Sequence, residues 1–358
     1  MKTADFDYAL PPELIAQIPI EPRDASRLMV VDRSTGDITH HHFHDLPEFL
    51  RPGDLLVHNE SRVIPARLFA HKPTGGKVEI LLLRQRTADT WEVLVRGKRV
   101  RMGMRLVLLD GPDGQATGAE AKVVEEGERG KRVLTFDRPA LPLAEQVGTT
   151  PLPPYIHTPL EDGGRYQTVY AHTPGSAAAP TAGLHFTPQL LHRLREMEIQ
   201  SAFVTLHIGL DTFRPVSEER VEDHRIHTEY CSLTPEVARQ INQAKQERRR
   251  VLAVGTTSVR VLETAANKSQ KPLGFRKTPR VYPSHTVRPF EGATDLFIYP
   301  GYEFRLVDAL ITNFHLPHST LLMLVAAFAG KALLDRAYAE AIRLRYRFYS
   351  FGDAMLIL

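Results

Sequence analysis

Residues 77–137 read KVEILLLRQRTADTWEVLVRGKRVRMGMRLVLLDGPDGQATGAEAKVVEEGERGKRVLTFD. Five runs in this stretch are strand-like: 77–85, 90–97, 104–111, 118–127 and 131–137. Thr74-Gly75-Gly76 precedes the first run. Ala88-Asp89, Asp110-Gly111-Pro112-Asp113-Gly114 and Gly127-Glu128-Arg129-Gly130 separate others, and all are turn chemistry. No helix of useful length intervenes. Five or six short antiparallel strands this close together predict a small β-barrel.

The flanks read differently. Short apolar runs end in polar residues at 54–60 (DLLVHNE), 202–208 (AFVTLHI), 251–254 (VLAV) and 308–312, and helical spacing lies between several of them. Mixed α/β is therefore the expected class, a barrel-like α/β body interrupted by an inserted small antiparallel β-barrel. The expected parts are 1–62 for the first part of the body, 63–149 for the insert and 150–358 for the second part.

The formal net charge is +3, and its distribution says more than its size. From Arg67 to Arg105 ten Lys/Arg face only Glu79, Asp89 and Glu92, so this segment carries +7 and the remainder about −4. A basic segment on a mildly acidic body suits a polyanion, although a solvated strand face accounts for it equally by charge alone. Cys231 is the only cysteine, which excludes an internal disulfide and a cysteine-rich zinc site. The opening MKTADFDYALPPELIAQ has no signal-peptide apolar core, and the longest apolar run, Leu321 to Ala329, is far short of the roughly 20 residues of a membrane span. No membrane partner and a cytoplasmic location are expected. His40, His42 and His44 alternate on a strand-like segment, but no companion cluster follows in sequence, and no metal is expected.

Residues 165–188, RYQTVYAHTPGSAAAPTAGLHFTP, supply the body's densest cluster of small residues. Gly175 to Gly183 contain no bulky side chain, so a ligand can approach the backbone. Leu184-His185-Phe186 follows, and Thr187-Pro188 has the form of an N-cap and first helical residue. His207 and His315 repeat the context of His185, an imidazole between apolar neighbours shortly before a loop or helix start. Near His207 stand Asp211, Thr212 and Arg214. Gly255-Thr256-Thr257-Ser258 joins a buried strand to a helix and suits a carboxylate or phosphate; no lysine follows, so it is not a P-loop. In an α/β body such positions gather at the carboxyl ends of strands. Arg343, Arg345 and Arg347 interleave with Tyr346, Phe348, Tyr349 and Phe351, a pattern that fits base stacking or an ordinary last strand.

The blocks RYQTVYA, GSAAAPTAGLHFT, VLAVGTTSVR and the run from Thr294 to Gly330 resemble, across essentially the whole chain, the S-adenosylmethionine:tRNA ribosyltransferase-isomerase family of queuosine biosynthesis. Glu60-Ser61 and Leu210-Asp211 depart from that family's commoner forms. The resemblance implies an enzyme that transfers and isomerises the ribosyl group of S-adenosylmethionine onto 7-aminomethyl-7-deazaguanine at the wobble position of tRNA with a GUN anticodon. The product is epoxyqueuosine-tRNA, and adenine and methionine leave. It implies a monomer and no required metal, because the sulfonium substrate carries its own activating charge. On this reading His185, His207 and His315 are the candidate acids and bases, with a base whose pKa lies near neutrality. Thr181, Gly183 and Phe186 form a ligand-facing wall. Gly255, Thr256, Thr257, Ser258 and Asn313 hold the sulfonium substrate, its amino-acid tail at the three hydroxyls. Asp353 meets the amino group of the base, and Arg84, Arg96, Lys98, Arg99, Arg101, Arg345 and Arg347 contact RNA. Two other classes stay open: a non-catalytic tRNA-binding protein, which would not need the body's polar blocks, and a metal-dependent hydrolase, for which no HExxH spacing exists.

Overall fold

A computed structural model describes residues 1–160, 162–209, 215–270 and 286–358, and the chain divides into two units. The first takes Met1–Ser61, Pro154–His172 and Pro180–Leu358; the second takes Arg62–Pro153 and Thr173–Ala179. In chain order the strands are β1 Arg27–Val31, β2 Ile38–His42, β3 Leu55–Asn59, β4 Ser61–Val63, β5 Arg67–His71, β6 Lys77–Gln85, β7 Thr90–Arg96, β8 Arg105–Leu109, β9 Ala116–Glu126, β10 Lys131–Phe136, β11 Thr173–Ser176, β12 Gln200–His207, β13 Glu229–Leu233, β14 Val251–Val254, β15 Phe290–Thr294, β16 Ala309–Asn313 and β17 Ala354–Ile357. The helices are α1 Ala140–Val147, α2 Pro188–Glu196, α3 Pro235–Gln246, α4 Thr256–Gln270, α5 Thr320–Ala329 and α6 Lys331–Arg343.

In the second unit β10-β7-β6-β5-β8-β9 close into a barrel with every neighbour antiparallel. The five runs read from the sequence are five of its strands, and β5 is the sixth. Alternate residues turn inward, so Ile80, Leu82, Trp91, Val93, Leu106, Leu108, Ala121 and Val123 are buried. Register shifts at Leu82/Arg84, Val107/Leu109 and Val133/Leu134 bend the strands. Closure pairs each edge and leaves no open ladder. Thr173–Ala179 also belongs to this unit, where β11 pairs with β4.

The first unit is built on one nine-stranded mixed sheet in the order β15-β13-β12-β3-β14-β16-β17-β1-β2. β12, β3, β14 and β16 run parallel, so their carboxyl ends share one edge. β17 is antiparallel to β16, and β1 is parallel to β17. The starts of β17 and β1 therefore reach the same edge, with Ala354 opposite both Asn313 and Leu28. This one reversal brings Ser26 and Asp353 to the row that holds His207, Asn59, Gly255 and Asn313.

The central strands are apolar on both faces because both are covered. Leu28, Leu56, Leu252, Val254, Ile311 and Leu356 pack with Phe186, Leu190 and Leu194 on one face. The alternate residues Leu55, Val57, Val251, Ala253 and Leu310 are equally buried and turn to the other face, against which α3 and α4 pack. Thr187 caps α2 by accepting from the Leu190 amide, with Pro188 first in the helix, as its sequence predicts. Ser319 caps α5 and Gly330 closes it.

Candidate active site

The polar cluster at the sheet edge is built around His185, at the end of a 3-10 turn, Thr181–His185, that runs into α2. Its Nδ1 lies 2.7 Å from Ser26 Oγ, just before β1, and its Nε2 lies 3.3 Å from Asn313 Nδ2, at the end of β16. Asn313 Nδ2 also donates to the Tyr349 carbonyl (3.0 Å), which fixes the amide orientation. The amide is thus the donor and Nε2 the acceptor, so the proton sits on Nδ1 and is donated to Ser26. The segment carrying Ser26 is tied to α2 by the Thr187 hydroxyl, which donates to Asp24 (2.7 Å). Phe43 stacks on the imidazole at 5.0 Å.

His207 ends β12, with Nδ1 2.8 Å from Ser61 Oγ and its ring stacked on Tyr230. His315 follows β16, with Nε2 2.8 Å from Thr312 Oγ1 and its backbone amide donating to Tyr338 Oη (2.8 Å). Asn313 links His185 to the segment of His315. β12 is three strand steps from β16, about 14 Å at the usual inter-strand spacing, so His207 belongs to the far end of the row. Burial lowers all three basicities. His185 falls to about 3, with Arg347 and Arg23 adding to the effect; His315 falls to about 3 and His207 to about 4. A base with a near-neutral pKa is therefore not what this arrangement holds. The three imidazoles are neutral at pH 7, and His185 offers its Nε2 lone pair.

Other residues singled out by sequence divide by what they touch. Phe186 is wholly buried among Phe43, His58 and Tyr170 and serves the core. A Cβ on Gly183 would lie 2.0 Å from Tyr170 Oη, so glycine is required there by a close side-chain approach. Gly255 has φ +87° and lies against Ala182 of the same turn as Thr181. Ser258 Oγ donates back to the Val254 carbonyl (2.9 Å), and Thr256 is buried. The Thr257 hydroxyl, at the opening of α4, is shielded from solvent and has no hydrogen-bond partner among the described residues. The Asn313 carbonyl oxygen is in the same state.

Asp353 is buried and accepts from the amides of Arg27 (3.1 Å) and Arg347 (2.8 Å) and from Arg27 Nε (3.3 Å). Its carboxylate is spent on fixing the two chain segments at the edge, which replaces the expected contact with a substrate amino group. Asp211, Thr212 and Arg214 lie outside the described residues. His42 and His44 stack at the end of β2, and their ring nitrogens and an Asp45 oxygen lie within 4.8 Å of one another on the surface.

In the barrel, Arg84 and Arg86 pair with Glu92, Arg105 with Glu120, and Arg96 loosely with Glu79 at 3.9 Å. Lys98, Arg99 and Arg101 lie together and exposed in the turn between β7 and β8. In the body Arg345 is exposed, and Arg347 Nε lies 3.5 Å from Asp353. Ser26, Arg23 and Arg165 are functional candidates to which the sequence reading assigned no role. The Arg-Asp-x-Ser-Arg run 23–27 is the signal that marks two of them.

The family model described as Queuosine biosynthesis protein matches residues 3–357. A protein of Carboxydothermus hydrogenoformans named S-adenosylmethionine:tRNA ribosyltransferase-isomerase is 52% identical over 360 residues, and one of the same name from Symbiobacterium thermophilum is 54% identical over 362; each alignment covers 100% of both chains. The crystal structure of S-adenosylmethionine tRNA ribosyltransferase from Thermotoga maritima matches with TM-score 0.55 and 42% identity, over 99% of this chain and 100% of that one.

Proposed function

This chain belongs to the queuosine biosynthesis protein family and is a transferase, and from that premise we propose that it moves the ribosyl group of S-adenosylmethionine to the aminomethyl group of 7-aminomethyl-7-deazaguanine at the wobble position of GUN-anticodon tRNA. The ribosyl group rearranges there to the epoxycyclopentanediol of epoxyqueuosine, and adenine and methionine leave. The observation that carries this reading is the buried Ser26–His185–Asn313 relay at the shared edge of the parallel strands. The sulfonium acidifies its neighbouring C5′ proton, and the Nε2 lone pair of a neutral His185 is placed to take it. Ser26 then accepts from Nδ1–H and steadies the imidazolium that forms. Asn313 gives up a long hydrogen bond to Nε2 when substrate enters, and its unpaired carbonyl oxygen is available to a substrate donor. His315 and His207 are assigned to the departing adenine and to the far part of the substrate. The substrate's own charge makes a divalent metal unnecessary. We place the reaction in the cytoplasm and assign it to a single copy of the chain; among the described residues no helix is long and apolar enough to cross a membrane.

The test incubates purified protein with S-adenosylmethionine and tRNA bearing 7-aminomethyl-7-deazaguanine, in EDTA. Released adenine together with a mass gain on the wobble nucleoside is expected. His185→Ala should lower turnover by about 10²–10⁴, the usual worth of a positioned base. Binding of tRNA with neither product would favour the non-catalytic RNA-binding reading and defeat this one.

For the RNA, Lys98, Arg99 and Arg101 of the β7–β8 turn, which have no ion-pair partner among the described residues, are proposed as phosphate contacts, with Arg84, Arg96 and Arg345 as further cations toward the anion. Replacing Lys98, Arg99 and Arg101 by alanine together should weaken tRNA binding uniformly across sequences. The slope of log K against log salt should fall by about 2, at roughly 0.7–0.9 per lost phosphate contact. An unchanged slope would remove this turn from the interface.

A further inference from the structure

A narrow pocket lies directly against His185, lined among others by Ile20, Arg23, Arg165, Leu184, Ser350 and Phe351. Its guanidiniums are anchored from behind. Arg23 donates to the Gly164 carbonyl (3.0 Å) and the Gln167 carbonyl (2.5 Å), and Arg165 donates to the Ile20 carbonyl (2.8 Å) and pairs with the exposed Glu21. Arg347 stands outside the lining; its charge acts on His185, and it is held by Asp353 and reaches the Ile18 carbonyl (3.5 Å). After these anchors two donors remain: Arg165 Nε and Arg347 Nη2 are shielded from solvent and have no hydrogen-bond partner among the described residues. A buried donor left unpaired costs about 1–3 kcal/mol and more when charged, so such groups in a native protein mark a place for an acceptor. The nearby carboxylates do not fill it. Glu21 is spent on another Arg165 nitrogen, and Asp353 is shared between Arg27 and Arg347.

The chemistry of the walls decides between anions. A backbone phosphate carries a polar sugar on each side, for which the apolar walls Ile20, Leu184 and Phe351 offer no partner. A carboxylate on a short aliphatic stem is planar, offers two oxygens to guanidinium donors, and lays its stem on those apolar walls. We propose that this pocket binds the α-carboxylate of the sulfonium substrate, Arg165 donating to it, the nearby charge of Arg347 adding to the attraction, and the stem lying along Ile20, Leu184 and Phe351. The proposal rests on S-adenosylmethionine being the ribosyl donor. It moves the amino-acid tail away from Thr256–Ser258, where the Ser258 hydroxyl is already committed to Val254.

The test compares S-adenosylmethionine with its decarboxylated analogue, the same sulfonium without the carboxylate. Dissociation constants are measured by calorimetry with tRNA that has an ordinary wobble guanine, so no turnover occurs. Wild type should prefer the carboxylate-bearing ligand by at least tenfold. Arg165→Gln and the milder Arg165→Lys should each weaken S-adenosylmethionine about tenfold or more, leave the analogue nearly unchanged and so abolish most of the preference. Arg347→Gln should act in the same direction. Preference kept in the variants would overturn the carboxylate assignment alone. Variants that weaken tRNA binding and leave the sulfonium untouched would instead assign the pocket to RNA phosphate and equally overturn it. Wild type binding neither sulfonium would bring down the donor reading, and this proposal with it, a result distinct from the other two.

Discussion

Lowering the pH from 7 to 5 is expected to remove about 6 kcal/mol of folding stability through the buried histidines. His58, His185 and His315 are buried, and burial holds each at about 3 in the folded chain against an ordinary value of 6.5. The unfolded chain therefore binds protons that the folded chain refuses. Stability is complete above pH 6.5 and falls as pH drops toward 3, by about 2 kcal/mol per histidine between pH 7 and 5. His207, at about 4, adds to the same slope. Against a typical total of roughly 5–15 kcal/mol, this is a large share of the whole. Urea denaturation at pH 7, 6 and 5 measures the effect, and a flat profile would mean that the imidazoles protonate in place. His58 provides the control. Its ring packs among Tyr170, Phe186 and Phe203, so His58→Phe keeps an aromatic ring while removing one titration. The slope around pH 5 should then fall by about 1.4 kcal/mol per pH unit, whatever the variant's absolute stability.

The second large effect concerns Glu229 and Arg260, both buried and hydrogen-bonded to each other. Glu229 also accepts from the Gly209 amide (3.1 Å) and lies 3.2 Å from His227, and Arg260 Nε donates to the Leu296 carbonyl (3.1 Å). Although burial opposes ionisation of Glu229, Arg260 and His227 outweigh it and hold the carboxyl at about 2. Arg260→Met should cost about 3–5 kcal/mol, because it strands a charge where water does not reach it. Glu229→Gln should be costly for the same reason. The double variant should cost much less than the sum, since no uncompensated charge remains. A double-mutant cycle by urea unfolding reads this directly, and additive costs would show that the two residues act independently. Because Glu229 grips Gly209, two residues beyond His207, the single variants should also loosen the end of β12.

The barrel was legible because its strands are close in sequence, alternate in polarity and are separated by turn residues at 110–114 and 127–130. The parallel body strands were legible as apolar runs, and the caps at Thr187 and Ser319 announced their helices. The site was only partly legible. Ser26 and Asn313 meet His185 through a sheet in which one antiparallel strand, β17, turns the start of β1 toward the carboxyl ends of its neighbours. No local pattern encodes that reversal. Sequence also treats every polar residue near a motif as available. Ser258, Asp353 and the glycine at 183 are instead consumed by the fold, bonded inward or pressed against a neighbour. The same ambiguity governs the three histidines. An imidazole between apolar residues marks a strand end correctly, but the depth of its burial, which decides its basicity, comes from segments far away in sequence.

The placement of β17 also has a consequence for how the protein is made. This strand lies inside the nine-stranded sheet between β16 and β1, and Leu28 finds its partner at Ala354. At a synthesis rate of roughly 5–20 residues per second, β1 emerges from the ribosome some 15–60 s before that partner exists. Meanwhile the six barrel strands, complete by Phe136, have all their partners within reach. A nascent chain that stops early carries a finished barrel and a sheet gapped at its interior, with Ser26 and Asn313 unable to assemble around His185. Premature termination therefore yields no half-active enzyme. It yields a chain with an open sheet edge, the form that chaperones and proteases recognise.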